Sequence, residues 1–251
     1  MKVNYHTHTY RCRHAEGTDR EYVEAAIAAG IKVVGFSDHA PIPFADGFVS
    51  SSRMAMDELE GYVNSIRSLQ QEYKSDIRIL LGYEAEYYPD EFASMIAHLE
   101  QYGYDFLILG QHYLGREQDG RAVGNCGDDQ SLQDYVDQVL AGLETGKFLY
   151  LAHPDMINYQ GPEENMFNAL VTICQKLKEL NMPVEYNLLG ARDNRHYPTT
   201  TLLRAAKAVG NSIILGADAH QPHVFARKQD VDAARKLIEG YGLTIINEPL
   251  I

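Results

Sequence analysis

An α/β fold of repeated βα units around a parallel sheet is predicted by three features of this sequence. Short apolar or β-branched runs alternate with amphipathic stretches from one end to the other, the pattern of strands linked by crossover helices. Most of these runs are followed by a segment of ordinary helix length. The 251 residues, 45% hydrophobic, suffice for one large core, and α/β barrels commonly occupy this length undivided. Residues 1–251 are therefore expected to form a single domain.

Seven strands are expected: Lys2 to His6, Lys32 to Ser37, Ile77 to Tyr83, Tyr104 to Gly110, Phe148 to Ala152, Pro183 to Asn187 and Ser212 to Ala217. The first helix is expected to start at Thr18-Asp19-Arg20-Glu21, a hydroxyl followed three residues on by a carboxylate, as in a capping box. Further helices are expected near Met54 to Tyr73, Asp90 to Tyr102, Ser131 to Thr145, Glu163 to Leu180, Thr199 to Val209 and Asp230 to Tyr241. Two long irregular stretches, Pro41 to Ser52 and Leu114 to Gln130, have the length of lids or substrate walls.

The net charge of -13 argues against long nucleic acid as a partner, because such binders gain affinity through Lys and Arg. A small phosphorylated molecule remains compatible with it, since bound cations reverse the local potential. Cys12, Cys126 and Cys174 are odd in number and form no CxxC pair, so neither a disulfide framework nor a thiolate zinc cluster is indicated, and a cytoplasmic location is expected. No signal peptide and no run of about 18 apolar residues is seen, so no membrane association is expected.

The histidines carry the chemistry. Seven of ten lie at or just beyond the carboxyl end of an expected strand, where parallel barrels place their active sites. They are His6, His8, His14, His39, His112, His153 and His220, joined there by Glu84 and Asp218. Residues two apart on a strand share a face, so His6-Thr7-His8 and Asp218-Ala219-His220 are each chelate-like. One such pair alone is more often structural. Two of them at the first and last strands would become neighbours on barrel closure. His112 and His153, taken singly, are more readily explained as strand caps that hydrogen-bond a loop. Glu84 ends an apolar strand, and a carboxylate there needs pairing, coordination or water. Glu86, on the same face, competes for that role and is expected to be the more solvated of the two.

His6-Thr7-His8-Thr9, Ser37-Asp38-His39, Gly82-Tyr83-Glu84, Gln111-His112, Ala152-His153-Pro154 and Gly216-Ala217-Asp218-Ala219-His220 follow one another in this order. In that combination the sequence resembles the PHP (polymerase and histidinol phosphatase) family of phosphoesterases across nearly its whole length. Its stretch from Glu185 to Arg192, followed by Tyr197-Pro198, is most similar to the histidinol-phosphate phosphatase branch. The resemblance implies a distorted (β/α)7 TIM-like barrel carrying three divalent transition-metal ions: zinc, iron or manganese. It implies His6, His8, Glu84 and Asp218 around one ion, with Glu84 bridging to a second held by His112 and His153. The third falls to His14, His39 and His220. Asp38 is either a ligand or an orienting neighbour.

Mixed imidazole and carboxylate donors suit those metals. Ions held close together generate hydroxide near neutral pH and clamp the attacking and leaving oxygens at phosphorus. The reaction implied is hydrolysis of L-histidinol phosphate to L-histidinol and phosphate, a step of histidine biosynthesis, with Asp218 or His220 assisting the leaving alcohol. Arg192 is the candidate phosphate clamp, a guanidinium matching phosphate through two parallel hydrogen bonds; a surface pair with Asp193 is its other reading. Glu185 and Asn187 are candidates for the substrate's cationic end. Hydrolysis of another small phosphoester, such as a nucleotide or sugar phosphate, is the alternative activity. A metal-stabilised scaffold without turnover is the alternative of a different class.

Overall fold

The computed structural model describes residues 1–251, which fall into two compact units. The first comprises Met1–Ile108, Ala217–Lys228 and Asn247–Ile251; the second comprises Leu109–Gly216 and Gln229–Ile246.

The strands β1 (Val3–Asn4), β2 (Val33–His39), β3 (Arg78–Ala85) and β4 (Phe106–Leu109) form a sheet in that order, all but Leu109 belonging to the first unit. The β1–β2 and β2–β3 pairs are parallel. Every residue of β2 is buried, as are all but the first of β3. Continuous burial explains the apolar runs Val33–Phe36 and Ile79–Leu81 with which β2 and, after Arg78, β3 begin, since a parallel sheet is covered on both faces. Phe106 fills the space over two glycines: a Cβ at Gly82 would lie 2.4 Å from its ring, and one at Gly35 would lie 2.6 Å away. Tyr5 meets the same ring edge-on, with centroids 5.5 Å apart.

Helix α1 (Asp19–Ala28) starts at the expected capping box. Thr18 Oγ1 accepts from the Glu21 N–H, and a Glu21 carboxylate oxygen accepts from the Thr18 N–H at 2.7 Å. Thr18→Ala removes one of these reciprocal bonds and is expected to cost about 1 kcal/mol of unfolding free energy, measurable by urea titration. The unit continues with α2 (Leu59–Glu72) and α3 (Phe92–Tyr102). The segment expected as one helix from Met54 starts instead with a 3-10 turn at Met56–Glu58.

The second unit contains the antiparallel ribbon β5 (Tyr113–Leu114) and β6 (Arg121–Ala122), then α4 (Asp129–Glu144) and α5 (Glu163–Glu179). The parallel pair β7 (Val184–Asn187) and β8 (Ile213–Gly216) follows, with α6 (Leu188–Arg192) and α7 (Thr200–Val209) between its strands and α8 (Lys228–Gly240) after it. All of the ribbon but Tyr113 lies inside the stretch expected to be irregular from Leu114 to Gln130. The expected strand Phe148 to Ala152 narrows to a single bridging residue: Leu151 pairs in parallel with both Leu109 and Val184. Pro154, just beyond, lacks the N–H that a longer ladder would require. Ile245 adds an unforeseen parallel bridge to Ile213. No helix is long and apolar enough to cross a membrane.

Candidate metal centre

Backbone pairing brings the two chelates of the first unit together. Thr7 forms a parallel bridge with Ala219. The His8 N–H donates to the Ala219 carbonyl at 2.9 Å, and the Ala219 N–H donates to the His6 carbonyl at 3.2 Å. On its other side, the Thr7 carbonyl accepts from the Ser37 N–H at 2.8 Å. With Thr7 held between two neighbours, the side chains on either side of it, His6 and His8, share the opposite face.

Two carboxylate oxygens organise the imidazoles. Glu84 Oε2 lies 3.4 Å from His6 Nε2, 3.3 Å from His8 Nε2 and 3.2 Å from His39 Nδ1. Asp218 Oδ1 lies 3.5 Å from His6 Nε2, 3.2 Å from His8 Nε2 and 3.3 Å from His220 Nδ1. Ligands at about 2.0–2.1 Å on the corners of a tetrahedron are separated by roughly 3.3 Å, so these spacings match those a metal coordination shell requires. His6, His8, Glu84 and Asp218 are at most 3% exposed, and His8 Nδ1 and His220 Nε2 are buried nitrogens that make no hydrogen bond. The donor set and its burial fit divalent transition-metal ions.

His14 completes this group: its ring stacks on that of His220, with centroids 4.8 Å apart. Its Nδ1 meets the Cys12 carbonyl oxygen at 2.6 Å. Asp38 accepts the His39 N–H through Oδ1 at 2.9 Å and the Thr9 hydroxyl through Oδ2, and Oδ1 lies 3.6 Å from His8 Nδ1. These bonds give it the contacts of an orienting neighbour. Burial works against the carboxylate form of Asp218, but His6, His8 and His220 prevail and hold its pKa well below the ordinary value. Burial works against protonated His8, yet Asp218, Asp38, Cys12 and Glu84 raise its pKa well above 6.5.

Glu86 is not the solvated carboxylate expected. It is 2% exposed, accepts from Arg53 Nη2 at 2.8 Å and receives the Tyr88 hydroxyl at 2.5 Å. Arg53, itself 3% exposed, also donates to the Ala40 carbonyl. Glu86 is thus committed to a buried ion pair, away from the histidine set that surrounds Glu84.

In the second unit, the His112 and His153 rings meet edge-to-face at 4.9 Å. The His153 N–H donates to Glu185 Oε1 at 3.1 Å, and the same oxygen accepts from Asn187 Nδ2 at 2.9 Å. Glu185 lies against Gly216, where a Cβ would approach its carboxylate to 2.2 Å. Asn187 Oδ1 accepts from the Gly190 N–H and caps α6, which ends at Arg192. Arg192 Nε donates to Asp193 at 3.2 Å, and no other hydrogen bond or ion pair of its guanidinium is present. His153 in the second unit and Asp218 in the first have φ values of +31° and +45°. Backbone strain of this kind costs on the order of 1–3 kcal/mol and concentrates at functional sites.

Two functional candidates escaped sequence reasoning. Cys12 lies within ligand distance of His14 and His220; burial opposes its ionisation, but His14, His220 and His8 bring its pKa down to about 4. Its signal was the spacing Cys12-Arg13-His14, obscured by the absence of a second cysteine nearby. Asp155, fully buried, accepts the Thr199 N–H at 2.6 Å, and burial raises its pKa to about 6; nothing in its local sequence marked it.

An α/β chain that gathers buried imidazoles around two carboxylates in this way is a metal-binding protein of the hydrolase type. It belongs to the PHP domain family, whose profile matches residues 4–188 and so runs through both units. A probable histidinol-phosphatase of Deinococcus radiodurans is 30% identical, the match covering 86% of this chain and 85% of that protein. The histidinol-phosphatase of Bacillus subtilis is 26% identical over 88% of this chain and 94% of its own length. Among solved structures, histidinol phosphate phosphatase from Lactococcus lactis, crystallised with zinc, L-histidinol and phosphate, superposes with a TM-score of 0.72 at 22% identity. That superposition covers 98% of this chain and 95% of the other. The putative histidinol phosphatase of Listeria monocytogenes gives 0.75 at 21% identity, over 92% and 99%. These likenesses show the fold to be the distorted α/β barrel type expected.

Proposed function

We propose that this protein is a phosphomonoesterase that uses divalent transition-metal ions to hydrolyse L-histidinol phosphate to L-histidinol and phosphate. The observation that carries the reading is the set of imidazoles facing Glu84 Oε2 and Asp218 Oδ1 at 3.2–3.5 Å. The curated relatives named histidinol-phosphatases support the substrate. Bound ions would supply an activated water near neutral pH and neutralise phosphoryl oxygens.

The chain's own residues do the rest. Glu84 and Asp218 offset the repulsion between cations, and the buried rings of His6 and His8 keep bulk water from their donor atoms. His112 and His153 offer two further nitrogens in the second unit. Arg192 engages Asp193 only through Nε, which leaves its terminal nitrogens to grip two phosphoryl oxygens side by side. Glu185 and Asn187 are completely buried and serve the His153 N–H and the start of α6, so this reading gives them positioning roles. The three cysteines are buried free thiols, which supports a reducing cytoplasm as the compartment.

Phosphate release from L-histidinol phosphate, compared with nucleotide and sugar phosphates, tests the proposal. A clear kcat/KM preference for histidinol phosphate supports it; preference for another phosphoester reassigns the substrate, and no turnover of any by metal-loaded protein sinks the enzyme reading. Arg192→Met is expected to keep its metals and lose about 30-fold or more in kcat/KM, from removal of a desolvated charge contact worth at least about 2 kcal/mol. A loss below about fivefold leaves Arg192 as a surface partner of Asp193.

A further inference from the structure

Cys12 closes the 3-10 turn Tyr10–Cys12, which Thr9 caps by accepting the Arg11 N–H. Arg13 then takes a left-handed conformation, φ +72°, which brings His14 back beside its neighbour two residues earlier. The outcome is a compact donor group: ligand atoms of Cys12, His14 and His220 lie within 4.8 Å of one another. A second such group joins Cys12 to His8 and Asp38. The Cys12 side chain is 0% exposed. His8, 1% exposed, presents a buried Nδ1 without a hydrogen bond on the side facing Asp38 and Cys12. With His14 Nδ1 engaged by the Cys12 carbonyl, its Nε2 remains as the ligand atom.

We propose that the Cys12 thiolate ligates the ion held by His14 and His220, and that this sulfur donor selects zinc over manganese. The proposal rests on the metal-dependent reading above and adds to it a donor that the resemblance did not imply. His39, assigned to this ion by resemblance, has its Nδ1 3.2 Å from Glu84 Oε2, although it also falls in a group with His8 and His220. Thiolate is a soft ligand that favours zinc, whereas manganese favours oxygen donors. Loading the site displaces the thiol proton to solvent and leaves sulfur as a charged ligand, so one unit of the ion's charge is offset where no carboxylate belongs to the Cys12, His14 and His220 group.

The full-length protein, stripped of metal and reloaded anaerobically with cobalt(II), provides the test. Thiolate ligation produces a sulfur-to-cobalt charge-transfer absorption in the near ultraviolet that nitrogen and oxygen donors do not. Zinc-loaded protein should show an X-ray absorption shell at about 2.3 Å for sulfur, beside nitrogen at about 2.0–2.1 Å. Both signals are expected in the wild type and in Cys126→Ser and Cys174→Ser, and both should vanish in Cys12→Ser. A fully loaded wild type without either signal overturns the proposal, as does a Cys12→Ser protein that retains them. Should Cys12→Ser fail to fold, the wild-type spectra and the two control variants still decide. Phosphate release is scored separately: sulfur signals without hydrolysis keep the ligand and remove the phosphatase reading, whereas hydrolysis without sulfur signals does the reverse.

Discussion

Glu84→Gln is expected to lower both bound metal and kcat/KM for phosphate release, the latter by roughly 10²- to 10⁴-fold. The carboxylate is 1% exposed, and one of its oxygens faces His6, His8 and His39 at 3.2–3.4 Å. An amide keeps the shape and loses the charge, so cations gathered there would repel one another without compensation. Removing one partner of a buried ionic contact costs about 3–5 kcal/mol, which at 1.36 kcal/mol per decade gives that range. Glu86→Gln supplies the contrast. It strips the counter-charge from buried Arg53 and should therefore destabilise the fold, by up to about 3–5 kcal/mol, while metal content per folded molecule stays at the wild-type level. Elemental analysis of both variants, with urea unfolding, separates the two carboxylates; the reverse pattern would move the metal site to Glu86.

Chelation should abolish phosphate release, and added zinc should restore it. The same treatment should lower the melting temperature. A ligand present at about 1,000 times its Kd stabilises by about 4 kcal/mol, which for a chain of this size is roughly 8–16 °C. Scanning calorimetry before and after dialysis against chelator measures the shift. In the stripped protein, the His8 pKa is raised above 6.5. Its contribution to stability is therefore complete below that value and is lost as pH rises through the folded pKa. Metal must displace this proton, so reloading should strengthen with rising pH. A chelated protein that keeps its full rate, verified as metal-free, would end the metal-dependent proposal.

Much of the candidate metal centre was legible because the side chains that converge in it sit at fixed positions on strands. His6, His8, Glu84 and Asp218 could be located at strand ends from the strand pattern and a two-residue period, both properties of the local chain, while their grouping around one ion was implied by the resemblance to the PHP family. What escaped depended on partners far along the sequence. The burial of Glu86 is explained by Arg53, which reaches it from a loop whose course no periodicity encodes. Helix α6 is too short for an amphipathic pattern, so the segment that ends in Arg192 could be located but not shaped. Leu151 is strand-like only because Leu109 and Val184 flank it, and no property of Phe148 to Ala152 by itself reveals how little of the run would pair.

The bridge between Thr7 and Ala219 also has a bearing on biosynthesis. In the order of translation His6 and His8 precede Asp218 and His220, so the full donor set exists only once the later segment has been made. Joining segments so distant in sequence delays the contact in folding. Nascent chains and products truncated before Asp218 would therefore lack half of the paired chelates. Capture of an ion by the full set would then require synthesis to have passed His220, and chains cut short before it would lack whatever stability a bound ion confers.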